Sequence, residues 1–422
     1  MKTLAPNLYK VTLTNKAMRT SSRNLYMIKS DDRSLMIDTS WKVPECLNDM
    51  ENALKELSID YKDLDIFVTH NHADHSGYVS YFTDRGARAF MNPVEITEAS
   101  DRYHRLYENN TMRRSYTREC GVTKELAPDA WQEINTGADR LAKENNINFN
   151  FPFTPIAPGD IFSCGDYHFE IVPLYGHTSG QCGLVERNKK LFFCADQVIL
   201  GLTPIVITAG KDQHLLAEYF ASLKELTADY TGYRFLPGHY GEFTEIREET
   251  DRIISEYETR CTQLRLALAE SRRPMTLLEL DQALYVQRMQ TYRYSYLFSY
   301  LNTWPKLFSC LDWLAETGVI RRAEKDGILF WSCSLESSVD LLYPFLFLKS
   351  EARNSTPYSC PISSPIWFNR SASFNGLIVR VVVKKLKPPA FASLAASERR
   401  SLKHSVHLAP PSGSCSNPFD AA

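Results

Sequence analysis

The 422-residue sequence lacks several features that define common protein classes. No run of 18 or more apolar residues occurs, so we expect no segment to span a membrane. The first residues, Met1–Pro6, do not begin the apolar segment that a secretory signal peptide requires, so we expect no secretory signal. The ten cysteines include no Cys-x-x-Cys pair, which favours reduced thiols in a cytoplasmic protein over a disulfide framework. The formal net charge of −2 gives no indication of a polyanionic partner.

Histidine is also scarce, with ten residues in the chain, yet three of them lie in one short segment. The segment 69–77 reads Thr-His-Asn-His-Ala-Asp-His-Ser-Gly, and it follows an apolar run that predicts a buried strand. On a turn leaving a strand, His70 and His72 point to one side, whereas Asp74 and His75 point to the other. Four such groups do not fit one ion well, so the spacing indicates two metal ions that each need further ligands. Hydrogen-bonded loop histidines are the alternative.

Two further histidines and an aspartate follow strand-like segments later in the chain. His177 and His239 each come directly after a glycine at the end of an apolar run. A backbone turn at such a place can aim the next side chain into a cleft. Between them, the hydrophobic stretch 191–195 runs into Asp196, whose two carboxylate oxygens could bridge two cations.

The combined pattern resembles the metallo-β-lactamase superfamily of dinuclear metal hydrolases, over roughly residues 5–250. The resemblance is carried by seven residues, in order and at family-like spacing: His70, His72, Asp74, His75, His177, Asp196 and His239. It implies that His70, His72 and His177 hold a first metal ion. It also implies that Asp74, His75 and His239 hold a second ion and that Asp196 bridges the two. The early segment ending in Asp38 looks like the N-terminal strand of that family.

The order of strand-like and helix-like segments fits an α/β fold, namely the four-layer αβ/βα sandwich of that family with the metal ions at one edge of the sheets. We expect this catalytic domain to cover residues 1–250. The patterns predict strands at 8–13, 24–29, 34–38, 65–69, 87–91, 182–186 and 190–195, and helices at 44–57 and 212–227.

Residues 94–150 interrupt this order with a polar, helix-prone segment. It falls where such a hydrolase can carry a helical cap over the substrate cleft. In a cap, tyrosines would contact an acyl group, and Arg113 or Arg114 would bind an anionic group. Packing on the scaffold alone is the alternative.

Residues 251–336 begin with a charged linker helix and continue as helices followed by a β-hairpin, which suggests a small winged-helix-like domain. Residues 273–335 hold seven Lys and Arg against six Asp and Glu, too balanced for a phosphate-binding surface. A packing or dimerisation role is therefore favoured, and a homodimer is left open. Residues 337–422 are rich in Ser and Pro, basic and without periodicity, so we interpret them as a low-order tail rather than an evolved domain.

The chemistry implied by the resemblance is hydrolysis by a hydroxide held between two metal ions, with Asp74 both binding metal and orienting this nucleophile. Aspartate at position 196 resembles the glyoxalase II, lactonase and nuclease branches. The residues after it and the winged-helix-like end look most like acyl-thioester and related hydrolases. We therefore predict cleavage of a thioester, ester or lactone carbonyl, in the manner of hydroxyacylglutathione hydrolases or acyl thioesterases.

Two other functions are weighed against this prediction. One is a phosphodiesterase or RNase that uses the same metal ions, and the other is a non-catalytic binding module with a vestigial site. The predicted partner is a small-molecule acyl substrate, with neither nucleic acid nor membrane expected. Imidazole and carboxylate ligands suit zinc, iron and manganese alike, so we expect two divalent ions, with Zn²⁺ favoured and Fe or Mn as alternatives.

Overall fold

In the computed structural model of this protein, the described residues are 1–15, 22–96, 110–145, 151–206, 215–288 and 294–333, with two short strands at 372–374 and 377–379. The chain divides into two compact units, Met1–Leu342 and Tyr343–Ala422. In the part of the chain that the structure describes, no helix combines the length and apolar composition of a transmembrane span.

The first sheet has seven strands that are neighbours in sequence order. They are Lys2–Ala5 (β1), Leu8–Thr14 (β2), Ser22–Ile28 (β3), Ser34–Ile37 (β4), Leu64–Val68 (β5), Arg88–Met91 (β6) and Thr154–Pro155 (β7). Strands β1 to β4 pair antiparallel, and β4 to β7 pair parallel. Parallel neighbours need crossover connections, and the segments between β4 and β7 supply them.

The second sheet has five strands, Ile161–Cys164 (β8), Tyr167–Pro173 (β9), Cys182–Glu186 (β10), Leu191–Ala195 (β11) and Arg234–Pro237 (β12). Its order is β12-β11-β10-β9-β8. Strands β8 to β11 are antiparallel, and β12 joins β11 in parallel after a helical crossover.

Ten helices lie among the described residues. They are Pro44–Glu56 (α1), Ala73–Ser76 (α2), Val79–Thr83 (α3), Asn110–Glu119 (α4), Pro128–Asn145 (α5), Leu215–Asp229 (α6), Ile246–Ser271 (α7), Leu277–Arg288 (α8), Tyr296–Phe298 (α9) and Trp304–Glu316 (α10). Short 3-10 turns lie at Tyr61–Asp63 and Pro93–Ile96, and a π-helical turn lies at Ser299–Thr303.

Three hydrophobic cores separate these layers. Residues such as Phe67 and Phe193 fill the space between the two sheets. Met50 of α1 belongs to the core on the other side of the first sheet, and Tyr219 of α6 to the core on the other side of the second. Strands β5 and β11 are buried on both faces, which explains why their sequences run apolar instead of alternating. The predicted four-layer αβ/βα sandwich is confirmed.

The predicted elements agree closely with the observed ones. The predicted strand 182–186 has the same bounds as β10. The predicted helix 44–57 corresponds to α1, which ends one residue earlier, at Glu56. The helix predicted at 212–227 is observed at Leu215–Asp229, and residues 212–214 lie outside the described part of the chain.

The two described helices of the 94–150 segment pack against the C-terminal helices. Gly137 of α5 leaves no room for a Cβ atom beside Leu297. Ser295 Oγ donates a hydrogen bond to Glu133 Oε1 at 2.7 Å. Residues of α4 and α5 also join the core outside the second sheet. The cap stays a prediction, because residues 97–109 and 146–150 lie outside the described residues.

Of the two arginines predicted as alternatives for binding an anionic group in a cap, Arg113 is held in an ion pair inside the protein, which leaves Arg114. The side chain of Arg113 is buried, and its Nη2 donates to Asp139 Oδ1 at 2.8 Å, so α4 and α5 share the ion pair between them. A guanidinium already paired inside the protein is not available to a ligand. Arg114 is exposed, and its role stays a prediction.

Helices α8 to α10 lead into an antiparallel hairpin of Ile320–Lys325 (β13) and Ile328–Cys333 (β14). The two connecting residues, Asp326 and Gly327, both have positive φ angles of 53° and 74°, as a type I′ turn requires. This helix–hairpin order matches the predicted one, and the winged-helix assignment and the domain boundaries at 250 and 336 stay predictions. In the second unit, Ala372–Phe374 (β15) pairs antiparallel with Leu377–Val379 (β16).

We expect a chain ending at Glu336 to keep the fold of the first unit, because the last fully buried member of its core is Trp331. The melting temperature should change by less than about 2 °C. A control chain ending at Gly318 removes Ile320, Leu329 and Trp331 from the core and should be strongly destabilised. Calorimetry compares the two, and loss of cooperative unfolding in the longer chain would contradict the prediction.

Candidate metal centre

Four loops at one edge of the two sheets carry the predicted ligands. Strand β5 ends at Val68, and His70 and His72 follow directly, with Asp74 and His75 in the short helix α2. The remaining loops follow β9, β11 and β12. Backbone hydrogen bonds join these loops: the Cys182 amide donates to the Thr69 carbonyl at 3.0 Å, and the Gly238 amide donates to the Ala195 carbonyl at 2.8 Å.

The structure brings all seven predicted residues together in two clusters. The first cluster is His70, His72 and His177, and the second is Asp74, His75, Asp196 and His239. Within each cluster, one ligand atom per residue lies within 4.8 Å of the others. Six of the seven residues are buried, and the side chain of Asp74 is 19% exposed.

Asp196 lies between the two clusters. Its Oδ2 is 3.4 Å from His239 Nε2 in the second cluster and 3.7 Å from His177 Nε2 in the first. Its Oδ1 is 3.4 Å from His75 Nε2. One carboxylate therefore faces ligand atoms of both clusters, which is the position that a bridging ligand needs.

Four of the site histidines have a hydrogen-bond partner at Nδ1. The pairs are His70 with Thr69 Oγ1 (3.0 Å), His75 with Asp38 Oδ2 (3.0 Å), His177 with the carbonyl oxygen of Ile205 (2.7 Å) and His239 with the carbonyl oxygen of Ser22 (2.6 Å). A proton donated from Nδ1 leaves the Nε2 lone pair free for a cation. His72 differs, because its Nδ1 is the atom that faces His70 Nε2, at 3.1 Å.

The residues of this centre fit divalent metal ions. His75 Nε2 and Asp196 Oδ1 are buried without a hydrogen-bond partner, which costs on the order of 1–3 kcal/mol for each group. Facing ligand atoms lie 3.0 to 3.7 Å apart. Tetrahedral bonds of about 2.0–2.2 Å would place ligand atoms roughly 3.3–3.6 Å from each other. Imidazole and carboxylate donors suit zinc, iron and manganese, and the choice of zinc stays a prediction.

The charges of the centre are shifted by burial and by one another. Burial lowers the pKa of His70 and of His177, so both imidazoles are neutral ligands. Burial also opposes the charge of His239, but the carboxylates of Asp196 and Asp74 outweigh it and raise the pKa of His239 to about 10. Burial raises the pKa of Asp196, yet the charge of His239 outweighs this and leaves that pKa well below its usual range. A cation at His239 Nε2 therefore displaces a proton, so metal affinity falls as the pH falls.

Two buried charged residues that support the ligand loops were missed in the sequence. Arg23 donates from Nη2 to Asp38 Oδ2 at 2.6 Å, and Glu95 accepts a hydrogen bond from the Asn71 amide at 2.9 Å. Each joins loops that are distant in sequence, and a single Arg or Glu has no spacing pattern to reveal it. Asp38 was noted only through the resemblance of its strand.

Comparisons with known proteins agree with this geometry. A family model described as the metallo-beta-lactamase superfamily matches residues 18–239. A metallo-beta-lactamase family protein from Thermus thermophilus is similar in structure, with a TM-score of 0.62 and 19% identity over 79% of this chain and 100% of that one. A beta-lactamase domain protein from Burkholderia ambifaria is similar with a TM-score of 0.62 and 18% identity, over 78% and 93% of the two chains. These two structural likenesses bear on the fold alone. No match was found among curated proteins.

We expect His72→Ala or Asp74→Ala to lower the metal content and to abolish turnover while the fold persists, because each removes one ligand from a preformed cluster. The fall in kcat/KM on a chromogenic ester should exceed the loss of about 10–100-fold that removal of a ligand-supporting group causes. Metal analysis and circular dichroism of the variants provide the measurements.

His168→Ala is the matched control, because His168 is an exposed histidine of β9 that contacts Ser163 Oγ and no ligand. It should keep the full metal content and activity. Full metal content in His72→Ala would contradict the assignment of that residue.

Proposed function

Because the chain belongs to the metallo-beta-lactamase superfamily and carries the two His and Asp clusters of a metal-dependent hydrolase, we propose that it cleaves the carbonyl of a thioester, ester or lactone. The observation that carries the proposal is Asp196, which faces both clusters through one carboxylate. His70, His72 and His177 would hold one divalent ion, and Asp74, His75 and His239 the other. When bound, the two ions supply an activated water and a Lewis acid for the carbonyl.

Asp74 is the residue of the centre with access to solvent and substrate. Its side chain is the most exposed of the seven, and its Oδ2 lies 3.0 Å from His239 Nε2. Its carboxylate keeps its negative charge, because His75 and His239 outweigh the opposing effect of burial and lower the pKa of Asp74. A charged carboxylate at the open side of the site can accept a hydrogen bond from the attacking water and orient it. We assign Asp74 this role beside its role as a ligand.

Exposed apolar side chains on and beside the ligand loops, here called the apolar rim, support an acyl substrate. Eleven large hydrophobic side chains are exposed among the described residues, and six of them lie on or beside these loops. The six residues of the apolar rim, 38% to 45% exposed, are Val94, Ile96, Tyr175, Leu200, Leu202 and Tyr240. Exposed apolar side chains that cluster at one place commonly mark a binding site.

Two members of the apolar rim, Leu200 and Val94, contact residues of other ligand loops. Leu200 lies beside Gly241, where a Cβ atom would be 3.2 Å from Leu200 Cδ2, and Tyr240 directly follows His239. Val94 lies against Gly180 in the loop that carries His177. A surface of this kind favours the carbon chain of an acyl group over the charged backbone of a phosphodiester.

We expect acyl-CoA or acyl-glutathione thioesters, lactones and simple esters to be hydrolysed faster than bis-p-nitrophenyl phosphate or single-stranded RNA. Because the rim is apolar, kcat/KM should rise with acyl chain length, by up to about fourfold for each methylene that becomes buried. Steady-state kinetics over a chain-length series measure this slope.

Leu200→Ser should flatten the slope, because it removes apolar surface beside the ligand loop. Ile161→Ser is the matched control, since Ile161 is equally an exposed aliphatic residue but lies on β8, the edge strand at the other end of the second sheet. Faster cleavage of RNA or of the phosphodiester than of every carbonyl substrate would contradict the proposal.

A further inference from the structure

A buried carboxylate that is not among the ligands connects two of the ligand loops. Glu95 lies in the short turn Pro93–Ile96 after β6, and its side chain is 0% exposed. Oε1 accepts hydrogen bonds from Thr178 Oγ1 and from the Gly180 amide, both at 2.7 Å, and Oε2 accepts one from the Asn71 amide at 2.9 Å. Its backbone carbonyl accepts a further bond from Asn71 Nδ2.

These partners lie next to the three ligands of the first cluster, and the loop of Asn71 continues into Asp74 and His75 of the second. Asn71 stands between His70 and His72, and Thr178 directly follows His177. Oε2 of Glu95 therefore holds the loop of His70 and His72, which are two ligands of the first cluster. Oε1 holds the loop of His177, which is the third. All of these contacts are inside the protein, where a hydrogen bond to a charged group is strong and constrains both partners.

We propose that Glu95 is a positioning residue that preforms the first metal site by fixing the His70/His72 loop against the His177 loop. The proposal rests on the metal centre described above and assigns Glu95 no contact with metal or substrate, because hydrogen-bond donors already occupy both of its oxygens. Glu95 would thereby determine the metal affinity of the first site in particular.

The three contacts specify a carboxylate and no other side chain of that size. Two of the donors are backbone N–H groups, which cannot turn around to accept a bond. A glutamine at position 95 would place its NH₂ group against one of these N–H groups whichever way the amide faces. The Gly180 amide approaches closely because position 180 has no side chain: a Cβ atom there would lie 2.9 Å from Glu95 Oε1.

The second cluster is supported by a different buried residue. The Arg23 guanidinium donates from Nε to the Asp74 carbonyl at 2.9 Å, from Nη1 to the Gly238 carbonyl at 2.6 Å and from Nη2 to Asp38 Oδ2 at 2.6 Å. It thereby connects the loop of Asp74 and His75 with the loop of His239. Glu95 contacts residues beside the ligands of the first cluster, and Arg23 contacts residues beside the ligands of the second. A change at Glu95 should therefore lower the affinity for the first ion and leave the affinity for the second unchanged.

The test is titration of Zn²⁺ into the metal-free full-length chain and its Glu95→Gln variant, in competition with a chromophoric chelator. We expect two sites in the unmodified chain. In the variant, one site should lose about 10–100-fold in affinity, the size of effect seen when a ligand-supporting group is removed, and the other should be unchanged. With Co²⁺ instead of Zn²⁺, the visible absorption of only one of the two bound ions should change.

Glu186→Gln is the matched control, because Glu186 is also a fully buried glutamate, accepts a hydrogen bond from the Lys189 amide and lies at the end of β10 away from the site. It should bind both ions with full affinity. Thr178→Val removes a single donor to Glu95 at nearly constant shape and should weaken the same site by a smaller factor, which keeps the test decisive if Glu95→Gln folds poorly.

The possible outcomes distinguish the role of Glu95 from the proposed function. Equal weakening of both ions in Glu95→Gln and Thr178→Val, or unchanged affinity at both sites, overturns the role of Glu95 while the metal centre stands. Failure of the unmodified chain to bind two ions overturns the proposed function, and the role of Glu95 with it.

Discussion

The constraint on which this structure depends is the burial of ligand atoms that face one another, two of which have no hydrogen-bond partner in the protein. Imidazole nitrogens and carboxylate oxygens from four loops face one another at about hydrogen-bond distance, and His75 Nε2 and Asp196 Oδ1 have no donor or acceptor. Such an arrangement is unfavourable by itself and becomes favourable once cations neutralise it. The two sheets make it possible, because the strands before His70, Asp196 and His239 all end at the same edge.

Hydrogen-bond partners that are not themselves ligands hold this arrangement. Four histidines contact oxygen atoms through Nδ1, which directs their Nε2 atoms into the centre. Behind them, Arg23 and Glu95 place one buried charge at each cluster and connect loops that are distant in sequence. These hydrogen bonds orient the ligand atoms toward one another. Exposed apolar side chains of the same loops, such as Leu200 and Tyr240, form the apolar rim that carries the proposed substrate preference.

The sequence reveals the parts of this molecule that depend on local pattern. Strands such as β11 are predictable because both faces are buried, and the ligands are predictable because scarce histidines recur at strand ends. Arg23 and Glu95 are not predictable, since the loops that they join meet only in the folded chain. The choice between Arg113 and Arg114 could not be made for the same reason: the partner of Arg113, Asp139, lies on the next helix, and an exposed arginine and a paired one look alike in a sequence.

The most direct test of the central claim is anomalous diffraction from a crystal of the metal-loaded protein. We expect two anomalous peaks, one within about 2.0–2.2 Å of nitrogen atoms of His70, His72 and His177, and one at the same distance from ligand atoms of Asp74, His75 and His239, with oxygen atoms of Asp196 near both. A single peak, or two peaks of which only one contacts Asp196, would contradict the claim.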